Sequence, residues 1–114
     1  MSRSPITTHV LDTARGKPAA GIAVLLEINT TNGWQEVAAG RTDADGRVAD
    51  LMQPGSLKPG IYRLTFDTST YQNGNESSGF YPYVPVVFEI KNPEQHYHVP
   101  LLLSPFGYST YRGS

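Results

Sequence analysis

Residues 21–29 read Gly-Ile-Ala-Val-Leu-Leu-Glu-Ile-Asn. If this run is extended, the apolar side chains that share one of its faces are Ile22, Val24, Leu26 and Ile28. This period of two is typical of a β-strand with one face buried and the other in solvent. The same alternation recurs at 61–66 and 84–90, and Pro85 in the second of these runs favours an edge strand or the start of a strand. The three runs predict half-buried strands in the middle of the chain.

Four further strands are predicted around these runs, at residues 7–13, 34–42, 96–103 and 106–112. Turn-forming sequences separate the strands, as in Thr31-Asn32-Gly33 and Asp43-Ala44-Asp45-Gly46. One short helix is predicted at 67–72, where Asp67 or Thr68 would cap its N-terminus. Many short strands joined by turns are typical of an all-β sandwich.

Composition limits both the size and the function class of the protein. The 114 residues predict a single domain over 1–114. Nine Lys and Arg against ten Asp and Glu give a net charge of -1, so the basic excess typical of a nucleic-acid-binding protein is missing. The chain has no cysteine, which excludes disulfides, thiolate metal sites and cysteine nucleophiles. No apolar run approaches the roughly 18 residues of a membrane span, and no secretory signal is recognised, so a cytoplasmic location is expected.

Three histidines are the first candidates for acid–base chemistry, because imidazole titrates closest to neutral pH. His9 shares its predicted strand face with Thr7 and Leu11. His96 and His98 alternate along one strand, so both face the same way. Each histidine, taken alone, could equally be a surface residue or a hydrogen-bonded core residue. The pair could also chelate zinc with His9 or a carboxylate as third ligand, and spacing alone leaves that choice open.

Arg47 begins a short extended stretch after a predicted turn. As a solvated turn residue, it would pair with Asp43 or Asp45, which contributes little to stability. As a functional residue, its planar guanidinium would hold a carboxylate, an imide or a developing oxyanion. The tail Ser109-Thr110-Tyr111-Arg112-Gly113-Ser114 also has two interpretations. It is either a frayed end or the continuation of the strand predicted at 106–112.

Four segments of the chain carry motifs. Residues 7–19 read Thr-Thr-His-Val-Leu-Asp-Thr-Ala-Arg-Gly-Lys-Pro-Ala, and residues 42–47 read Thr-Asp-Ala-Asp-Gly-Arg. Residues 96–105 read His-Tyr-His-Val-Pro-Leu-Leu-Leu-Ser-Pro, and the sequence closes on Tyr111-Arg112-Gly113-Ser114. In this order the segments resemble the opening motif, the second motif, a histidine-bearing segment and the C-terminal tetrapeptide of the 5-hydroxyisourate hydrolases. These are the transthyretin-like enzymes of urate breakdown.

The resemblance implies a transthyretin-like (prealbumin-like) β-sandwich of two sheets of about four strands with one short helix. It implies a homotetramer, a dimer of dimers, with active sites in the channel where the dimers meet. The implied reaction is hydrolysis of a ring amide in 5-hydroxyisourate to give 2-oxo-4-hydroxy-4-carboxy-5-ureidoimidazoline. No cofactor and no metal are expected, because imidazoles can activate the water.

The resemblance also implies roles for individual residues. His9 and His98 are expected to form the acid–base pair, and Arg47 to anchor the substrate and stabilise developing charge. His9 and Tyr111 would line the substrate pocket, and Ser114 would contribute its hydroxyl or the terminal carboxylate. The sequence leaves the division of acid and base roles open.

Two alternatives come from other functional classes. A transthyretin-like carrier would bind a small molecule without catalysis, and by resemblance it would lack the histidine, arginine and tail motifs. A zinc-dependent hydrolase would use His9, His96 and His98 as ligands.

Overall fold

The computed structural model describes residues 4–73 and 79–113. Within these residues the chain forms nine strands and one helix. Their bounds are β1 Ile6–Asp12, β2 Lys17–Pro18, β3 Ala23–Thr30, β4 Gly33–Arg41, β5 Arg47–Val48, β6 Gly60–Phe66, α1 Thr68–Asn73, β7 Val84–Ile90, β8 Tyr97–Ser104 and β9 Gly107–Thr110.

The strands form two sheets. One has the order β2-β1-β8-β9, and β5 pairs with β1 near the middle of that strand. The other has the order β4-β3-β6-β7. All strand pairs are antiparallel except β1 and β8, which run parallel although they come from opposite ends of the chain. The predicted all-β sandwich of two sheets with one short helix is confirmed.

The core lies between the two sheets and follows the predicted alternation. Val24 and Leu26 of β3, and Leu64 and Phe66 of β6, are at most 2% exposed. They pack with Val10 and the inward side chains of β8 in one apolar cluster. Burying a side chain of this size contributes about 1.5–3 kcal/mol, so these alternating positions fix which face of each strand turns inward. The opposite face of each strand is then available for polar side chains.

Most strand limits agree with the predicted ones to within one or two residues. Pro85 lies on β7, at the edge of its sheet and opposite Thr65, as expected for a residue that cannot donate to the ladder. The last strand stops at Thr110, before the predicted end at residue 112. The two-residue strand β2 was not predicted, because two residues show no periodicity.

The helix is tied to the end of β1. Asp67 caps it, since its carboxylate accepts hydrogen bonds from the backbone N–H and the hydroxyl of Thr70. On the next turn, the Tyr71 hydroxyl donates to Oδ2 of the buried Asp12 at 2.6 Å. Burial, together with this acceptor, raises the pKa of Tyr71 to about 12. In the described part of the chain, no helix has the length and apolar character needed to cross a membrane.

Candidate active site

The outward face of β1 carries the first polar residues of the site. Because side chains alternate along a strand, Thr7 and His9 are partly exposed while Thr8 and Val10 point into the core. The parallel register of β1 with β8 places Thr7 directly opposite His98. This pairing brings the predicted histidines of the two chain ends to one face of one sheet.

A tight turn places Arg47 on the same face of the sheet as Thr7 and His9. The Asp43 carboxylate accepts hydrogen bonds from the backbone N–H groups of Asp45 and Arg47, at 2.9 and 3.0 Å. The bond from the Arg47 backbone is the main cause of the lowered pKa of Asp43. Gly46 has a φ of 77°, and a Cβ there would lie 2.5 Å from the Val10 carbonyl oxygen, so the turn requires glycine. Beyond the turn, β5 places Arg47 opposite His9.

A cavity of about 240 Å³ opens on this face, and the polar residues that line it are Thr7, Thr8, Arg47, His96 and His98. Burial is the main cause of the lowered pKa of His98, and the charges of Arg47, His9 and His96 add to the effect. His98 is therefore a neutral imidazole near pH 7, available to accept a proton.

The guanidinium of Arg47 forms no ion pair within 4 Å with the described residues. Among them, the ion pairs within 4 Å join Arg15 to Asp12 and Arg63 to Glu27. Arg47 and Asp43 are joined by two bonds to the Arg47 backbone, in which the Arg47 N–H donates to the Asp43 carboxylate and the Asp43 N–H donates to the Arg47 carbonyl. The Arg47 charge adds a smaller contribution to the lowered pKa of Asp43, but the predicted alternative of an ion pair within 4 Å is not found among the described residues. Its positive charge faces the cavity.

His9 lies beside the cavity and is held by the turn. Its Nε2 is 2.8 Å from the carbonyl oxygen of Asp45. Since a carbonyl can only accept, Nε2 carries the hydrogen, and in the neutral ring Nδ1 is the free acceptor. The turn that positions Arg47 therefore also fixes the tautomer of His9.

Thr7 connects the other two histidines. Its Oγ1 lies 2.8 Å from Nδ1 of His98 and 3.1 Å from Nε2 of His96. The two rings thus face the same side, as the alternation predicted. Sequence reasoning gave Thr7 no role, although its position two residues before His9 on the same strand face was a usable signal.

The described residues do not form the ligand set that the zinc hypothesis requires. Within residues 4–73 and 79–113, no group of three or more His, Cys, Asp or Glu side chains is arranged to hold a metal ion. The Thr7 hydroxyl lies within hydrogen-bond distance of one nitrogen of the His96 ring and one nitrogen of the His98 ring.

The C-terminal tail packs against β8 rather than fraying. The Gly113 N–H donates to the His98 carbonyl at 2.8 Å, and a Cβ on Gly113 would lie 2.7 Å from Cδ2 of the His98 ring. The Arg112 guanidinium lies 4.3 Å over the Tyr97 ring and donates to the carbonyl of His96. The tail therefore contacts the strand that carries His98.

The structure does not bring every predicted residue to the cavity. Tyr111 is 56% exposed and lines a different cavity of about 340 Å³, formed with residues of β7 and β8. Ser114 lies outside the described residues. The roles assigned to these two residues stay predictions.

Comparison with known proteins extends over nearly the whole chain. The model of the HIUase/Transthyretin family matches residues 6–113. The 5-hydroxyisourate hydrolase of Mus musculus is 50% identical over 113 residues, which cover 97% of this chain and 96% of the mouse protein. The structure of Klebsiella pneumoniae 5-hydroxyisourate hydrolase has a TM-score of 0.84 and 35% identity, and the match covers 100% of both chains. Sea bream transthyretin in complex with thyroxine has a TM-score of 0.90 and 36% identity, over 96% of this chain and 95% of that one.

The fold and the cavity together define a transthyretin-like β-sandwich with imidazoles and a guanidinium on its outer face. The chain belongs to the HIUase/Transthyretin family, which confirms the resemblance seen in its motifs. The solved relatives include both a hydrolase and a thyroxine-bound transthyretin, so the fold alone does not decide between catalysis and carriage. That decision depends on the residues of the cavity.

Proposed function

We propose that this chain hydrolyses 5-hydroxyisourate to 2-oxo-4-hydroxy-4-carboxy-5-ureidoimidazoline, a reaction of urate degradation. The observation that carries the proposal is that one cavity is lined by the His98 imidazole, whose pKa is lowered mainly by burial, and by the Arg47 guanidinium, which forms no ion pair within residues 4–73 and 79–113. Relatives about 47–50% identical over nearly the whole chain are named 5-hydroxyisourate hydrolases. The solved hydrolase, at 35% identity, and the solved transthyretins, at 36–37%, are about equally similar to this chain, so the solved structures do not separate the two functions. The cavity and the names of the 47–50% identical relatives favour catalysis over carriage.

The proposed chemistry begins with a water molecule activated by an imidazole. The neutral His98 ring can accept a proton from the water, whose oxygen then attacks the carbonyl carbon of a ring amide. The forming oxyanion gains charge, and a guanidinium that faces the cavity would stabilise it. His9 would complete the acid–base pair through Nδ1, the nitrogen that its bond to Asp45 leaves free, and a proton taken up there from solvent would pass to the departing ring nitrogen. Opening of the ring amide needs no further group.

Arg47 has a second task in this proposal, which is to orient a flat polar heterocycle. Its planar fork can donate two parallel hydrogen bonds to an imide or a carboxylate, which lysine cannot do. The Asp43 turn already holds the Arg47 backbone, so substrate binding has only the Arg47 side chain to order. Tyr111 and Ser114 are proposed to complete the site, because the tail runs along β8 beside His98.

We also propose that the working protein is a homotetramer, a dimer of dimers. Strands β7 and β9 are edge strands, and large apolar side chains are exposed on or next to them. Val87 is 57% exposed, Phe106 77% and Tyr111 56%. Unpaired edges with apolar neighbours favour association with a second copy. Sedimentation equilibrium would give four times the chain mass if the proposal is right.

The decisive experiment follows the loss of ultraviolet absorbance of freshly generated 5-hydroxyisourate. Because the substrate decays spontaneously, the rates with and without protein are compared. His9→Asn and His98→Asn should each lower kcat by about 10²–10⁴-fold, the usual contribution of an acid–base group. Circular dichroism would check that the variants are folded, and turnover close to that of the unmodified chain in either variant would remove that histidine from the mechanism.

Two further outcomes would favour the alternatives. Binding of thyroxine without acceleration of 5-hydroxyisourate loss would favour a carrier like the sea bream protein. Loss of activity on dialysis against a strong chelator, restored only by zinc, would favour a metallohydrolase. The cytoplasmic location and the single domain over 1–114 stay predictions, to be tested by cell fractionation and limited proteolysis.

A further inference from the structure

The Thr7 hydroxyl is shared by two imidazoles. Its oxygen lies within hydrogen-bond distance of Nδ1 of His98 and Nε2 of His96. A hydroxyl has one hydrogen to donate, so it can donate to one ring only and must accept from the other. The positions of the protons on the two rings are therefore coupled through Thr7.

His96 connects the site to a second opening. It lines the cavity with His98 and also a cavity of about 330 Å³ on its other side, whose polar residues include Glu94 and Gln95. His96 lies just before β8 and is partly exposed, whereas the inward residues on either side of His98 are buried. A proton placed on His96 is thus next to a separate route to solvent.

A proton that stays on His98 is unfavourable. The ring is partly buried, and the Arg47 guanidinium faces it from β5 while His9 faces it from β1. An imidazolium at His98 would therefore stand beside a fixed positive charge in a poorly solvated position. A route that removes this charge from His98 would make water activation easier.

We propose that Thr7 is a positioning residue that relays a proton from His98 to His96 when the attacking water is deprotonated. The inference rests on the proposed function. Nε2 of His98 takes a proton from the water, and the water oxygen forms its bond to the amide carbon. At the same time, the hydrogen on Nδ1 of His98 passes to Oγ1 of Thr7, and the Thr7 hydroxyl hydrogen passes to Nε2 of His96. His98 and Thr7 end neutral, and His96 carries the positive charge.

The first test removes only the hydroxyl. Thr7→Val keeps the β-branched shape, and we expect kcat to fall about 10- to 100-fold, part of the usual contribution of proton transfer. Thr7→Ser keeps the hydroxyl and should stay within about threefold of the unmodified chain. Thr13→Val is the matched control, because it removes a threonine hydroxyl that donates to the Leu103 carbonyl of β8, at the far end of the same strand pair and away from the histidines. Equal losses in Thr7→Ser and Thr7→Val would overturn the proposal.

The second test asks whether Thr7 and His96 act as one unit. His96→Gln should lower kcat about as much as Thr7→Val does. The double variant should be no slower than either single variant, because breaking a relay at two points costs no more than breaking it once. Losses that multiply in the double variant would show independent roles and would overturn the relay.

The third test does not depend on turnover. With histidines labelled by ¹⁵N, the ring nitrogen shifts report which nitrogen of His98 carries the hydrogen. We expect Thr7→Val to change the tautomer populations of His98, and Thr7→Ser to leave them unchanged. If the unmodified chain does not accelerate 5-hydroxyisourate loss, the proposed function fails, while these shifts still decide whether Thr7 couples the rings. Unchanged shifts in Thr7→Val would refute the coupling.

Discussion

Replacing Gly113 by alanine would put a methyl group 2.7 Å from Cδ2 of the His98 ring and 3.3 Å from Cγ of Pro100. The backbone of Gly113 is not in the left-handed region, so alanine meets no conformational penalty there. The perturbation is therefore one added methyl group, directed at the ring that is proposed to take the proton of the water.

The size of the effect follows from the contact distance. Ordinary van der Waals contact begins at 3.4 Å, so the ring or the tail must move by about 0.7 Å. Movement of the ring displaces the base, and movement of the tail strains the bond from the Gly113 N–H to the His98 carbonyl. A misplacement of about 1 Å in a catalytic constellation costs about 10²-fold, so we expect kcat to fall about 30- to 100-fold.

The assay is the rate of 5-hydroxyisourate loss, measured together with thermal unfolding. Gly107→Ala is the matched control, because a Cβ there would meet only Ser104 Oγ at an ordinary 3.7 Å. The control should keep normal kcat, and both variants should unfold close to the temperature of the unmodified chain, since neither position is in the core. A Gly113→Ala variant with normal kcat would refute the claim that close packing of the tail positions His98.

Three further predictions test the site and its support. Arg47→Lys should lower kcat/KM substantially, since lysine keeps the charge but loses the planar fork, whereas Arg41→Lys on the other sheet should be silent. Because the pKa of His98 is lowered, its imidazole stays neutral at pH values somewhat below the ordinary 6.5. The acid limb of a plot of kcat/KM against pH should therefore lie below pH 6.5, and a limb above pH 6.5 would contradict the role of His98 as the base. Tyr71→Phe should lower the free energy of unfolding by about 1.5–3 kcal/mol at neutral pH, since it removes a hydrogen bond to a carboxylate, and urea titration would measure this. The stabilisation exists below the ordinary Tyr pKa of 10 and is lost as pH rises through about 12, so the two proteins should converge in that interval.

Most of the fold could be predicted from the alternation of apolar and polar residues within single strands. Strands such as β3 and β6 are long enough for alternation to show which face is buried, so both their limits and their inward residues could be predicted. The same rule correctly placed Thr7 and His9 on one face of β1. The two-residue strands gave no such signal, and Arg47 was predicted to be extended only because a turn precedes it.

Contacts between distant segments could not be read from local patterns. That Thr7 lies opposite His98 depends on the parallel register of β1 and β8, which no turn between them specifies. The sequence likewise could not show which cavity Tyr111 would line. The motifs therefore predicted which residues form the site, whereas the strand register of the structure was needed to show which of them are neighbours.

The parallel pairing of β1 and β8 also has a consequence for protein synthesis. Thr7 and His98 are 91 positions apart, and at about 5–20 residues per second a ribosome takes roughly 5–20 s to make the intervening chain. During that interval β1 lacks its main neighbour, and its apolar face has no complete partner sheet to cover it. The nascent chain is therefore most exposed to aggregation and to chaperones before β8 emerges. Catalytic activity in a translation reaction should accordingly appear only after a lag set by the arrival of the last two strands.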